Sequence, residues 1–398
     1  MLPKYIANGT YGCVLKPPIP CKDKIEIENS ITKIFDNKNE KNDEVYTNKK
    51  IIKKIDPTNY FTVELKVECD IDLNKYPKVE TNKCKNFLEK SNKKYMQIIY
   101  EDGGISLDSY MRDNSKPPIK LKYFERLFKG LVELEKNNGS HLDIKPDNIV
   151  FNPINNKLCI IDFGLYNKTK DVYSSKLHYL HGHPYYFYPP EFSIYYHRKY
   201  VLDNYVTIMN QDRTKKFCNI FNIYLYLYKT NFNDNINKFY NKISTFEDYN
   251  NRYSTNGELR KYLDKYANKV DIYMLGITLL IYFSYKTPDY NSNPILCKQI
   301  GDLLCNMLNL NIEERYTPQQ AYNAFISIIE SSSAKKPTSI IKIRSKTIIK
   351  PTPIEKPCPP GKIRNPDTKR CRKIIEKKPC PPGKERNPLT NRCRKIKS

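Results

Sequence analysis

Apolar positions along this chain follow three regimes. Through the first hundred residues they come in short alternating runs. Ile6 precedes a turn holding Gly9 and Gly12, Val14 and Leu15 follow it, and Ile31-Thr32-Lys33-Ile34-Phe35 and Tyr95 to Tyr100 come later. Alternation over a few β-branched and aromatic residues predicts strands. One stretch in this region, from about Asp43 through Ile55, instead carries Ile51, Ile52 and Ile55 on one face of a helix. The second regime opens after Pro117 and Pro118. There Phe124, Leu127, Phe128, Leu131 and Leu134 have the spacing of a buried helical stripe, and Asn137-Asn138-Gly139 is a C-cap signal. Leu142, Ile144, Ile149, Val150 and Phe151, then Leu158 to Ile161, predict a strand-turn-strand. The third regime starts at Ser331, where the pattern gives way to Ser, Pro and alternating Ile and basic residues, the composition of an extended flexible linker over 331–355.

The 398 residues are enough for one large domain or two ordinary ones, and 39% hydrophobic with 28% charged content suits a globular chain. The longest apolar run, Met274 to Phe283, is about half of the roughly 20 residues a membrane span needs, so no membrane partner is expected. The N-terminal residues do not resemble a signal peptide. Charge is uneven: the last 68 residues carry a net +17 of the total +25. Eight of the twelve cysteines are scattered through the first 330 residues without a framework spacing, which makes reduced thiols the default expectation.

Chemistry concentrates in His141-Leu142-Asp143-Ile144-Lys145-Pro146-Asp147-Asn148 and, shortly after, Asp162-Phe163-Gly164. Each residue alone is an ordinary turn former. Together and in this order they resemble the catalytic and metal-binding loops of protein kinases. The resemblance implies catalytic roles for Asp143, Lys145 and Asn148, and a metal site for Mg2+ at Asn148 and Asp162. It extends upstream to a Gly-rich loop spanning Ile6, Ala7, Asn8, Gly9, Thr10, Tyr11, Gly12, Cys13 and Val14, with Ala7 at the first glycine position. In the family such a loop covers ATP, and here Ile6 and Val14 would cover the adenine. Lys33 then corresponds to the lysine that grips the ATP phosphates. The best register of the following helix puts Asn48, not a glutamate, at its partner position, with Glu44 one turn earlier as the substitute. Tyr100 corresponds to the gatekeeper, and the backbone around Glu101 to Gly103 to the hinge that binds ATP.

Downstream, Tyr188-Pro189-Pro190-Glu191 resembles the closing motif of the activation segment. Arg315 would pair with Glu191, and Asp271 of Val270 to Gly276 would cap the catalytic loop. Leu142 departs from the arginine that clamps a phosphate in regulated kinases, so Thr169, Tyr173, Ser174 and Ser175 lack that partner and phosphorylation-independent activity is expected. The implied fold is α+β and bilobal: a β-rich N-lobe over about 1–101, a helical C-lobe over about 105–330, and an insert at about 200–262. The insert is rich in Tyr, Asn and Phe and is expected to form helices over the C-lobe or, equally, to bind a substrate or partner. The tail holds two copies of Lys-Pro-Cys-Pro-Pro-Gly-Lys-x-Arg-Asn-Pro, at 356–374 and 378–396, with a period of 22 residues. They resemble the two-cysteine adaptor repeats of large-DNA-virus enzymes. Turn-forming Pro-Pro-Gly and Asn-Pro would let each copy close as a hairpin, pairing Cys358 with Cys371 and Cys380 with Cys393 as thiols, disulfides or zinc ligands.

The resemblance thus implies a viral serine/threonine protein kinase using ATP and Mg2+ on a protein substrate, with Lys145 the feature favouring Ser/Thr. It also implies a viral or host protein bound by the repeats, and a location in the host cell cytoplasm, a viral factory or the virion. Nonspecific contact of the basic tail with nucleic acid is the bland alternative for the tail. For the domain, the rivals are a pseudokinase scaffold, which Asn48 favours, and a small-molecule phosphotransferase.

Overall fold

The computed structural model describes residues 3–8, 12–21, 28–72, 83–84, 95–174, 177, 186–193, 232–251, 254, 256–286, 294–333, 362–364, 371–373, 384–386 and 393–395. They divide into two compact units, Met1–Lys336 and Pro337–Ser398. Five antiparallel strands open the first unit: β1 (Lys4–Asn8), β2 (Cys13–Lys16), β3 (Ser30–Phe35), β4 (Leu65–Ile71) and β5 (Tyr95–Glu101), in the order β1-β2-β3-β5-β4. The period-two pattern decides which way each side chain points. Cys13, Leu15 and Ile34 are buried with Ile19, Ile71 and Cys84 on one face, while Val14, Ile31 and Lys33 line a cleft on the other.

Between β3 and β4 runs α1 (Lys38–Tyr46), capped by the Asn37 side chain, which accepts from Asn39 N–H. The helix starts one turn earlier than its apolar spacing predicts. It then loosens into a π-helical stretch, Thr47–Ile52, before a last α-turn, Lys53–Ile55. A π stretch leaves backbone groups out of step with the i→i−4 ladder, and the Asn48 amide donates to the Glu44 carbonyl at 2.9 Å. Asp56 closes the helix. Its buried carboxylate accepts from the Tyr60, Phe61 and Thr62 N–H groups at 2.6, 2.8 and 3.0 Å.

This loop joins the two lobes. Ile160 N–H donates to the Phe61 carbonyl at 2.8 Å, and Phe61 sits so close to Gly130 that any Cβ there would lie 2.7 Å from its ring. The helical lobe contains α2 (Leu107–Arg112), α3 (Glu125–Lys136), α4 (Phe232–Ser244), α5 (Glu258–Asp264), α6 (Val270–Tyr285), α7 (Pro294–Met307) and α8 (Pro318–Ser333). Helix α6 is buried on every side from Val270 to Ser284, which explains its unbroken apolar sequence. Short strands β6 (Ile105–Ser106), β8 (Ile149–Asn152) and β9 (Lys157–Ile160) form one small sheet, and β7 (Gly139–Ser140) pairs with β10 (Asn167–Lys168). This is the expected bilobal α+β architecture. Among the described residues, no helix is long and apolar enough to cross a membrane.

Two expectations need correction. Reduced thiols do not describe the N-lobe: Cys13 is bonded to Cys84 and Cys21 to Cys69. Their separations of 71 and 48 residues hide this in the sequence, because only folding of the sheet brings each pair together. Among the described residues, Cys159, Cys297 and Cys305 are buried and lie outside these two bridges. The linker also starts later than Ser331, since α8 runs through Ser333. The rest of the expected flexible linker, the first part of the insert (200–231) and the tail cysteines Cys358 and Cys380 lie outside the described residues.

The second unit contains two hairpins, Lys362–Arg364 with Cys371–Lys373 and Lys384–Arg386 with Cys393–Lys395. Their registers correspond position for position: Arg364 faces Cys371 in one and Arg386 faces Cys393 in the other.

Candidate active site

The catalytic stretch follows α3 directly. Asn138 takes the left-handed conformation (φ 52°), so the chain reverses there and enters β7. His141 and Leu142 N–H donate to the Asp271 carboxylate at 2.7 and 2.9 Å, which ties the loop to the first turn of α6. Burial pushes the Asp271 carboxyl up, against the opposing pull of His141 and these two backbone bonds. Leu142 is fully buried with φ 66°, a costly conformation for a branched residue that this two-point anchor maintains. The His141 ring packs against Phe163 with centroids 4.6 Å apart. Its Nε2 lies 3.0 Å from the Ile161 carbonyl and its Nδ1 3.2 Å from Asp143 N–H, contacts both satisfied by the Nε2–H tautomer. His141 therefore joins the two loops as a spacer and a bridge.

The Asp143 carboxylate accepts from Lys145 Nζ at 2.8 Å and from the Asn148 amide at 2.7 Å. The same amide also donates to the Asp143 carbonyl at 2.9 Å. Both bonds use the amide nitrogen, so the Asn148 oxygen is the end left to face a cation. Asp162, at φ 61°, places its carboxylate 3.8 Å from Lys33 Nζ. Lys33 in turn pairs with Glu44 at 2.7 Å. Burial would lower the Lys33 pKa, but Glu44 and Asp162 outweigh it and hold the ammonium above its ordinary value. Glu44 accepts a second bond, 2.6 Å from the Tyr100 hydroxyl.

Lys33, Glu44, Asn148 and Asp162 line one cleft of about 300 Å³ between the lobes, whose walls include Ala7, Val14, Ile31, Tyr100, Ile160 and Phe163. Asp143 and Lys145 are joined to it through the Asn148 amide. Asp147 also faces it, its carboxyl raised by burial and by the nearby Asp108. Of the Gly-rich loop, Ala7 and Val14 line the cleft. Gly9, Thr10 and Tyr11 lie outside the described residues, and nothing is described of the Asn8 side chain. Ile6 falls at a bulge where the β1–β2 register skips from Tyr5↔Leu15 to Ala7↔Val14, and its side chain is half exposed. Ala7 therefore stands opposite Val14 where Ile6 was expected. Cys13 points to the opposite face, into its disulfide, so only its backbone borders the loop. Gly12 lies beside Lys33, with room for no Cβ. At the hinge, Glu101 and Asp102 N–H are taken by the Glu64 and Asn29 carbonyls at 2.8 and 3.1 Å. Gly103 sits tight against Val150 and Val63.

The donor set fits magnesium: a carboxylate and an amide oxygen, both hard donors. Among the described residues there is no cluster of three or more acidic, His or Cys side chains able to hold a metal alone. Magnesium commonly takes one or two protein oxygens and completes its shell with water and phosphate.

Two contributors escaped the sequence reading. The Tyr100 hydroxyl bonds Glu44, although its position had suggested only a gatekeeper. Asp56 organises the inter-lobe loop, and its position just before Pro57, at the end of a helical pattern, was the available signal. Farther off, Glu191 and Arg315 form a fully buried two-point pair, with Arg315 Nε donating to the Asn309 carbonyl at 2.9 Å.

A two-lobed fold with a lysine–glutamate pair above and an Asp–Lys–Asn set below a shared cleft is the framework of a protein kinase. Residues 28–203 match the family model of the protein kinase domain, somewhat less than half of the chain. The match starts after the Gly-rich loop and stops before α6 and Arg315. The sheet order, the Asp271 anchor and the Glu191–Arg315 pair join those outlying parts to it. Over residues 28–203 the chain is similar to protein kinase domains.

Proposed function

We propose that this protein is an ATP- and Mg2+-dependent serine/threonine protein kinase of viral origin, with its C-terminal repeats acting as a docking adaptor for a viral or host protein. The observation that carries the enzymatic reading is that Lys33, Glu44, Asn148 and Asp162 line one cleft, with the Asp143–Lys145 pair bonded to it through Asn148. Lys33, fixed by two carboxylates, positions the nucleotide phosphates. Asp143, oriented by Lys145 and Asn148, accepts a hydrogen bond from the substrate hydroxyl and takes its proton as the phosphoryl group transfers. Lys145 places positive charge beside that carboxylate, and Asn148 and Asp162 would hold Mg2+, which neutralises charge on the phosphates. Lys145 two residues after Asp143 is the feature that favours serine and threonine. The Lys33–Glu44 pair supports the active reading over a catalytically weak scaffold, which Asn48 favoured. We place the protein in the host cytoplasm, a viral factory or the virion, and two N-lobe disulfides fit an oxidising particle best.

The test is phosphotransfer from ATP to mixed protein substrates, with Asp143→Asn as control and phosphoamino-acid analysis of the product. The substitution is expected to lower kcat by about 10²-fold or more, with label on serine and threonine. Indistinguishable rates for the two proteins would refute the enzymatic reading, and label confined to tyrosine would refute the specificity.

A further inference from the structure

The stretch from Asp162 to Tyr173 has to be held in place for Asp162 to stay in the cleft. Its first half is held by the β10–β7 pairing, Asn167↔Ser140 and Lys168↔Gly139, and by Thr169 N–H donating to the Asn138 carbonyl at 2.9 Å. The second half, from Lys170 to Tyr173, meets a side chain from far along the chain. Arg260, on α5 at the end of the insert, is only 8% exposed. Its Nη2 donates to the Lys170 carbonyl at 2.6 Å and its Nη1 to the Tyr173 carbonyl. The remaining edge, Nε, bonds both oxygens of Asp264 at 2.7 Å. All three guanidinium nitrogens thus donate, two on main-chain carbonyls and one on a carboxylate that sets the orientation.

The helix carrying Arg260 is itself anchored. Leu259 and Leu263 are buried, and Leu259 N–H donates to the Asp248 carboxylate at 2.9 Å. Gly257 makes room for that carboxylate, since a Cβ there would overlap it. Tyr173 is 1% exposed and packs on Phe192, next to Glu191. The Thr169 and Ser174 hydroxyl oxygens are also buried.

We propose that Arg260 is a positioning residue that clamps the segment following Asp162 through its main chain, so that the segment is held in place without a phosphate. Leu142, apolar and fully buried, offers no charge for a phosphate at the position where one would be gripped. Carbonyl oxygens are present at every phosphorylation state, so a clamp that reads them is permanently engaged. This assigns a task to the C-terminal end of the insert, and it rests on the kinase reading only for its consequence on turnover.

The experiment uses the full chain as wild type, Arg260→Ala, Arg260→Lys and Asp264→Asn, with two readouts. Hydrogen exchange of amides 166–174 reports the clamp directly. Steady-state kinetics with ATP and a protein substrate report its effect. Arg260→Ala is expected to speed exchange in that window by about tenfold or more, as loss of charged hydrogen bonds at a buried site should. It is also expected to lower kcat by about tenfold while KM for ATP stays within about twofold, because Lys33 and the upper cleft are untouched. Arg260→Lys should recover part of both effects, and Asp264→Asn should show a weaker version. Should Arg260→Ala not fold, the lysine and Asp264 variants carry the same comparison. Unchanged exchange in 166–174 would overturn the clamp, as would faster exchange spread evenly over the chain. If wild type transfers no phosphate, the kinase reading fails while the exchange data still decide the clamp.

Discussion

Glu44 receives two donors, Lys33 from the sheet and the Tyr100 hydroxyl from the strand entering the hinge, so one carboxylate ties α1 to both. A buried charge left without its partner typically costs about 3–5 kcal/mol, whereas a lost hydroxyl bond to a carboxylate costs about 1.5–3 kcal/mol. The two substitutions should therefore rank. Glu44→Gln is expected to lower kcat/KM for ATP by about a hundredfold or more, and Tyr100→Phe by only about tenfold, as about 1.4 kcal/mol per factor of ten implies. Steady-state kinetics with ATP varied checks the order; a larger effect from Tyr100→Phe would show that Lys33 relies on Asp162 instead. Asn48 held the expected place in sequence register but bonds only the Glu44 backbone carbonyl. Residue types alone identified Lys33, Asp143, Asn148 and Asp162 as chemically able. They did not reveal Arg260 or Asp56, whose partners are main-chain groups that no side-chain motif encodes.

At the scale of elements, apolar periodicity located β1, β2, β3, β5, β8 and β9, helix α3 and the helical stretch ending at Ile55, because these bury apolar side chains against a core. It left open whether Asn48 or Glu44 partners Lys33, because a π stretch, Thr47–Ile52, alters the helical phase between Glu44 and the isoleucines used to align it. The N-lobe sheet was legible as strands, but not its covalent reinforcement. Disulfides Cys13–Cys84 and Cys21–Cys69 close long loops, and each is expected to contribute about 2–4 kcal/mol. Reduction of the full chain should lower its thermal midpoint by several degrees, with Cys84→Ala and Cys21→Ala each giving part of the loss. Identical melting curves with and without reductant would show that the sheet does not depend on either bridge. Because Cys13 sits on β2 beside the Gly-rich loop, loss of the first bridge should also weaken ATP binding more than loss of the second.

Across the whole molecule, Glu191 and Arg315 lie 124 residues apart and are both fully buried. Burial alone would lower the Arg315 pKa; Glu191 outweighs it and holds the guanidinium charged. Removing one member leaves the other desolvated and unpaired, which typically costs about 3–5 kcal/mol. Glu191→Gln should accordingly lower the thermal midpoint by more than Glu314→Gln, a neighbouring carboxylate outside the pair. Equal shifts would contradict a structural role for the pair. The tail is a separate matter: its 22-residue period was plain in the sequence, and both hairpins repeat at that spacing.

The sequence by itself determined the kind of chemistry and the order of its parts. Residue identity and local spacing set which side chains can bind phosphate, metal or a proton, and which stretches must bury a face. Only the tertiary structure decided the pairings: Glu44 over Asn48 for Lys33, Ala7 over Ile6 against the cleft, cysteines bonded where spacing suggested none, and Arg260 on the segment after Asp162. Each depends on a bulge, a π stretch or a contact between distant parts of the chain. Such features arise when packing selects among local conformations of similar energy, and that selection is made by the whole fold.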